Sequence, residues 1–171
     1  EMKSVKATTS PSMDIQISSN FERLLFEASG RDAGSVRSAM AGLKQSGSFE
    51  IEANTLKAMR RDFRAARASE KQVADTIRDT LSDAGYLADP HTAIGVFVAK
   101  KFEKPDSPMV ALSTAHPAKF PAAVKKASGI DPALPQWLAG MMDKPERFDV
   151  LDNDIKAVEG HIGRLTRAGR N

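Results

Sequence analysis

The 171 residues suit one domain or a piece of a larger one, and 41% hydrophobic with 27% charged residues is the balance of a globular chain rather than a disordered one. No apolar run approaches the roughly 20 residues that span a bilayer, and a formal charge of +3 is too small to imply a nucleic-acid partner. The absence of cysteine excludes disulfides and thiolate metal sites and fits a reducing compartment.

The chain opens Glu1-Met2-Lys3-Ser4, with no apolar core of a signal peptide. Residues 2–9 alternate weakly and include β-branched positions, so they predict a short strand. A terminal strand needs neighbours to pair with, which points to further sequence upstream. After the turn at Ser10-Pro11-Ser12, the spacing Ser19-Asn20-Phe21-Glu22 predicts a capping box. Phe21, Leu24, Leu25 and Ala28 then recur on one helical face and Gly30 closes it. Phe26 lies off that stripe, so this helix is expected to be buried on more than one side and to meet missing sequence. Val36, Met40 and Leu43 mark a second helix ending at Gly47, and Phe49-Glu50-Ile51 reads as a short extended piece.

Leu56, Met59, Phe63 and Ala66 predict a third helix inside a basic stretch. A fourth starts at a capping box, Ser69 with Gln72, and runs through Val73, Ile77 and Leu81 to Gly85. Asp89-Pro90 opens a fifth, with an acidic cap and proline in the first turn. Residues 94–102 fit helix or strand, and 103–108 form a connector. The continuous run Met109-Val110-Ala111-Leu112 predicts a buried strand of a parallel sheet. Further helices are expected after Pro117, from Pro135 through Trp137, Leu138 and Met141, and over Ile155, Val158, Ile162 and Leu165. The pattern is helix-rich α/β, with few strands and at least one of them buried.

Four places carry chemical possibilities. Ser113 and Thr114 follow the expected strand, at the sheet edge where ligands lie; the plainer account is that Thr114 caps the next helix. His91 sits in a first helical turn, where free amides favour anions, although capping by Asp89 alone explains that motif. Arginines 60, 61, 64 and 67 surround Phe63, but Glu70, Asp75 and Asp79 follow, so a solvated face competes with phosphate binding. Lys119 would need burial and a depressed pKa to serve as a Schiff-base lysine, and nothing local provides either. His91, His116 and His161 match no metal-ligand spacing, so no metal site is expected.

Three stretches resemble threonine synthase: Thr9-Ser10-Pro11-Ser12-Met13-Asp14-Ile15-Gln16-Ile17-Ser18-Ser19-Asn20-Phe21-Glu22-Arg23, then Asp89-Pro90-His91-Thr92, then Leu112-Ser113-Thr114-Ala115-His116-Pro117-Ala118-Lys119-Phe120. The resemblance covers most of the first 120 residues and less of the tail. It implies the C-terminal segment of a pyridoxal-phosphate enzyme of the tryptophan synthase β-like fold type. Residues 1–116 would then contribute to the cofactor domain and its wall, and 117–171 would be C-terminal helices.

The reaction implied is conversion of O-phospho-L-homoserine and water to L-threonine and phosphate, in the cytoplasm. The Schiff-base lysine and the glycine-rich phosphate loop would lie upstream, so the segment alone is expected to be inactive and free of cofactor. Thr114 corresponds to the residue facing the cofactor's pyridine nitrogen. Ser113, His116, Lys119 and His91 are candidates for the pocket of the phosphate-bearing substrate. The competing possibility is a helix-rich interaction module without catalysis.

Overall fold

The computed structural model describes residues 4–167. The chain divides into two compact units, Glu1–Ala133 and Leu134–Asn171. Six α-helices build the first: α1 (Ser19–Ala28), α2 (Ala33–Ser46), α3 (Ala53–Asp62), α4 (Glu70–Ala84), α5 (Pro90–Phe102) and α6 (Pro121–Ser128). Helix α1 packs on α2 and α3, while α4 packs on α5 and α6. The second unit holds α7 (Ile155–Leu165) and two 3-10 turns, Gln136–Leu138 and Met141–Asp143.

Local chemistry sets most of these boundaries. The α4 capping box forms as the spacing predicts: the Ser69 hydroxyl accepts from the Gln72 amide, and the Gln72 side chain accepts from the Ser69 amide. Helix α1 ends in a Schellman motif, in which the Arg31 amide donates to the Phe26 carbonyl and the Gly30 amide to that of Glu27. The motif requires the left-handed φ of Gly30, 76°, and Arg31 follows it at 66°. Residues 94–102, ambiguous by periodicity, continue α5 as helix.

The core lies between α4, α5 and α6. Val73 and Ile77 on α4 pack with Ala88 and Ala93, and Ala127 of α6 lies against them. Ile77 is 1% exposed, a burial that contributes about 1.5–3 kcal/mol.

Several sequence expectations fail for physical reasons. The box at Ser19 does not form, because Ser18 is the N-cap and makes no side-chain cap bond. The third position from that cap is Phe21, which has no acceptor. Helix α3 stops at Asp62, so Phe63 caps it and Ala66 lies beyond. Gly140, at φ 73°, breaks the helix expected from Pro135 into the two 3-10 turns.

The expected buried strand at 109–112 is absent. These residues lack regular structure and stay open to solvent, with Val110 76% and Leu112 74% exposed. A strand exists only where its amides and carbonyls are paired, and nothing among the described residues pairs with this run. No strand occurs among the described residues, which hold only an isolated antiparallel bridge between Lys104 and Ser107. The architecture is therefore helical here rather than α/β. Of the expected N-terminal strand, Met2 and Lys3 lie outside the described residues, and 4–8 are irregular.

Candidate functional site

The site is built around the first turn of α5. Gly85, at φ 65°, ends α4 and turns the chain into the short connector that delivers Asp89 to the N-cap of α5. The Asp89 side chain is buried, at 1% exposure. Its Oδ2 accepts from the His91 amide at 2.9 Å and from the His91 ring Nδ1 at 2.8 Å. Its Oδ1 accepts from the Thr92 amide at 3.1 Å. Burial by itself raises the carboxyl pKa, but bonds from the Thr92 side chain, the His91 amide and ring, and the Thr92 amide outweigh it. The carboxyl is held below its ordinary range.

His91 is buried and both ring nitrogens are committed. Its Nε2 accepts from the Ser12 amide at 3.3 Å, so the proton sits on Nδ1 and points to Asp89. The Phe120 ring packs against the imidazole, with centroids 4.6 Å apart and planes tilted by 51°. The α5 amides that might have met an anion are taken by Asp89. His91 therefore faces the fold and offers no ring nitrogen to a ligand.

The Ser10 turn is cross-tied before it reaches His91. The Thr8 amide and hydroxyl donate to the Asp14 carboxylate at 2.8 and 2.7 Å, and the Ser10 amide donates to the Thr8 hydroxyl at 3.1 Å. Residues 11–13 form a 3-10 turn. Its Ser12 amide is the one that reaches His91.

The third stretch meets the same helix start from the other side in sequence. The Thr114 amide donates to the Thr92 hydroxyl at 3.1 Å. The Ser113 hydroxyl is bonded to the Tyr86 phenol at 2.7 Å. His116 caps the Pro117–Lys119 turn, its Nδ1 accepting from the Ala118 amide at 3.2 Å. The Lys119 ammonium lies 6.0 Å from the centroid of the Phe120 ring. Ser113, Thr114, His116 and Lys119 are exposed, whereas His91 is buried.

Three separated stretches thus meet at Asp89-Pro90-His91-Thr92. Within this cluster the Thr114 hydroxyl has no hydrogen-bond partner among the described residues. It is a neutral, exposed donor and acceptor. The first α5 amides, of His91, Thr92 and Ala93, are all taken by Asp89 and so are not open to a phosphate. Ser12, Tyr86, Thr92 and Phe120 were not singled out by sequence. Ser12 and Thr114 contribute through backbone amides, which leave no side-chain signature; the Asp89-x-His91 spacing was the one visible hint.

The other candidates lie apart. Arg60 and Arg61 close α3, and Arg61 pairs with Asp62 at 2.7 Å. Arg64 and Arg67 sit on the irregular segment that follows. In the second unit, His161 Nε2 is 3.9 Å from Asp149 Oδ2. Among the described residues, no group of three or more His, Cys, Asp or Glu side chains is arranged to hold a metal. No helix among them is long and apolar enough to cross a membrane.

Residues 92–162 match the family model described as threonine synthase, C-terminal. The chain is 42% identical over 163 residues to threonine synthase of Pseudomonas aeruginosa, covering 94% of this chain and 35% of that protein. Against threonine synthase of Corynebacterium glutamicum the identity is 38% over 159 residues, covering 91% of this chain and 33% of that protein. Among solved structures, pyridoxal-phosphate-bound threonine synthase from Brucella melitensis superposes with a TM-score of 0.84 at 56% identity. That match covers 98% of this chain and 36% of the other. The chain spans about a third of the length of the curated relatives it matches.

Proposed function

We propose, from its similarity in sequence and fold to the C-terminal part of threonine synthases, that this chain forms one wall of a threonine synthase active site. The longer polypeptide converts O-phospho-L-homoserine and water to L-threonine and phosphate with pyridoxal phosphate. The observation that carries this is the convergence of the Ser10 turn, the α5 start and the 113–120 stretch around one buried carboxylate, with the Thr114 hydroxyl left unengaged beside it. Residues 1–116 contribute to the cofactor domain and its wall, and 117–171 are the C-terminal helices. The exposed run 109–112 pairs in the sheet of the longer protein, restoring the few-strand α/β character. The upstream part of the same polypeptide is this segment's principal partner.

Bound pyridoxal phosphate supplies an electron sink for negative charge developing on the substrate carbon. Thr114 meets the ring nitrogen with a neutral hydroxyl. A carboxylate there would hold that nitrogen protonated, whereas a neutral hydroxyl would leave it unprotonated and so moderate the sink the group would supply. Ser113 is the neighbouring hydroxyl but is already bonded to Tyr86. Lys119 and His116 stand exposed beyond the turn, where an ammonium and a ring nitrogen meet the substrate phosphate. His91 supports the wall from within.

The Schiff-base lysine and the phosphate loop lie in the upstream part. The chain by itself therefore carries no synthase activity, and its soluble setting is the cytoplasm. Thr114→Val against Ser113→Ala in the full-length protein tests the assignment through cofactor affinity and turnover. Loss of one hydrogen bond costs about 1–3 kcal/mol when its partner is left dry, so Thr114→Val weakens cofactor binding and slows turnover. Impairment by Ser113→Ala alone would shift the register at the ring by one residue.

A further inference from the structure

Thr114 is exposed, yet what fixes its place is buried. Thr92 is 3% exposed. Its hydroxyl oxygen accepts the Thr114 amide at 3.1 Å. Thr92 itself is anchored, because its own amide donates to Asp89 at 3.1 Å. One residue earlier, the Tyr86 phenol holds the Ser113 hydroxyl at 2.7 Å. Tyr86 follows Gly85 at the end of α4, and Thr92 lies in the first turn of α5, so both ends of one connector grip one dipeptide.

We propose that Thr92 and Tyr86 are positioning residues, a clamp that fixes 113–114 so that the Thr114 hydroxyl alone remains available to the cofactor ring. Ser113 and Thr114 are neighbours with equivalent hydroxyls, so the chemistry of the side chains cannot choose between them. The clamp makes the choice: it engages the Ser113 hydroxyl and holds the Thr114 backbone while leaving the Thr114 side chain unengaged. The clamp's function rests on the role proposed above for Thr114.

The test uses the full-length polypeptide with Thr92→Val, Thr92→Ser, Tyr86→Phe and the reference Thr114→Val. Three quantities are read: exchange of the Thr114 amide in cofactor-free protein, the Kd for pyridoxal phosphate, and the 15N shift of its labelled ring nitrogen. Thr92→Val should speed exchange of the Thr114 amide about tenfold, as for loss of one part-buried hydrogen bond, and raise Kd several-fold. It should also move the ring-nitrogen shift in the same direction as Thr114→Val. Thr92→Ser keeps the hydroxyl and should restore all three.

Tyr86→Phe, at a 44% exposed position that tolerates change, should raise Kd about two- to threefold and serves if Thr92→Val fails to fold. Unchanged Thr114 exchange in a folded Thr92→Val protein overturns the clamp. So does faster exchange with Kd and ring shift unmoved while Thr114→Val changes both. If Thr114→Val changes neither, the assignment of Thr114 is what fails, and the clamp's function falls with it.

Discussion

The α4–α6 part of the first unit and the second unit contain similar apolar residues in similar helical spacing, yet they use them differently. Between α4, α5 and α6, Val73, Ile77, Ala88, Ala93 and Val124 are all at most 2% exposed. From Leu134 onward no described residue is buried. Trp137 is 80% exposed, Phe148 72%, and Val150 85%. The α7 stripe Ile155, Val158, Ile162 and Leu165 has the amphipathic period but stays open to solvent. Periodicity thus specifies a helix and a face, but burial requires a partner surface. Helices α4 to α6 supply one another's, whereas the apolar surface of the second unit is the kind that marks an interaction face.

This contrast can be broken by truncating one isoleucine in each region. Ile77→Ala should cost about 2–5 kcal/mol, the range for a large-to-small change in a packed core. Ile155→Ala, at a 72% exposed site, should change stability by no more than about 0.5 kcal/mol. Urea unfolding followed by far-ultraviolet dichroism measures both. Comparable losses would mean that α7 is packed as tightly as α4.

The caps sharpen the same contrast. Asp89→Ala removes a buried acceptor and strands the amides of His91 and Thr92, so a loss of roughly 2–3 kcal/mol is expected. Asp154 caps α7 by accepting from the Ala157 amide at 2.9 Å on an exposed helix. Its replacement by alanine should cost about 0.5–1 kcal/mol. Equal costs would show that the web around Asp89 adds nothing beyond an ordinary cap.

A smaller effect concerns acid. The folded-state pKa of Asp89 lies below its ordinary 3.8, so the ionised carboxylate stabilises the fold. That contribution is complete above the unfolded value and is lost as pH falls through the lower folded value. Asp89→Asn lacks this titration. Its urea midpoint should therefore decline less steeply than that of the unaltered protein below roughly pH 4. Parallel declines would assign the acid sensitivity to other groups.

Much of the helical order was legible because caps and stops are local. Ser69 with Gln72, Asp89 with Pro90, and the glycines at 47 and 85 mark boundaries that the structure keeps. The run 109–112 was misread because a short apolar segment states only that it avoids water, not what covers it. Ser19 misled because the helix starts one residue earlier, with Ser18 as the cap, and Phe21 then stands where the box needs an acceptor. Of the cluster around Asp89, Thr114 and His91 were singled out in the sequence, but the bonds that tie them into it were not. Ser12 reaches His91 across 79 residues and Thr114 reaches Thr92 across 22, each through a backbone amide that any residue type would provide.

The most direct measurement is a crystal structure of the full-length polypeptide with pyridoxal phosphate bound. The account expects the Thr114 hydroxyl oxygen within about 3 Å of the pyridine nitrogen, at ordinary hydrogen-bond distance, with the Thr114 amide still bonded to Thr92. A ring nitrogen that instead meets Ser113, a carboxylate or solvent, with Thr114 turned away, would contradict it.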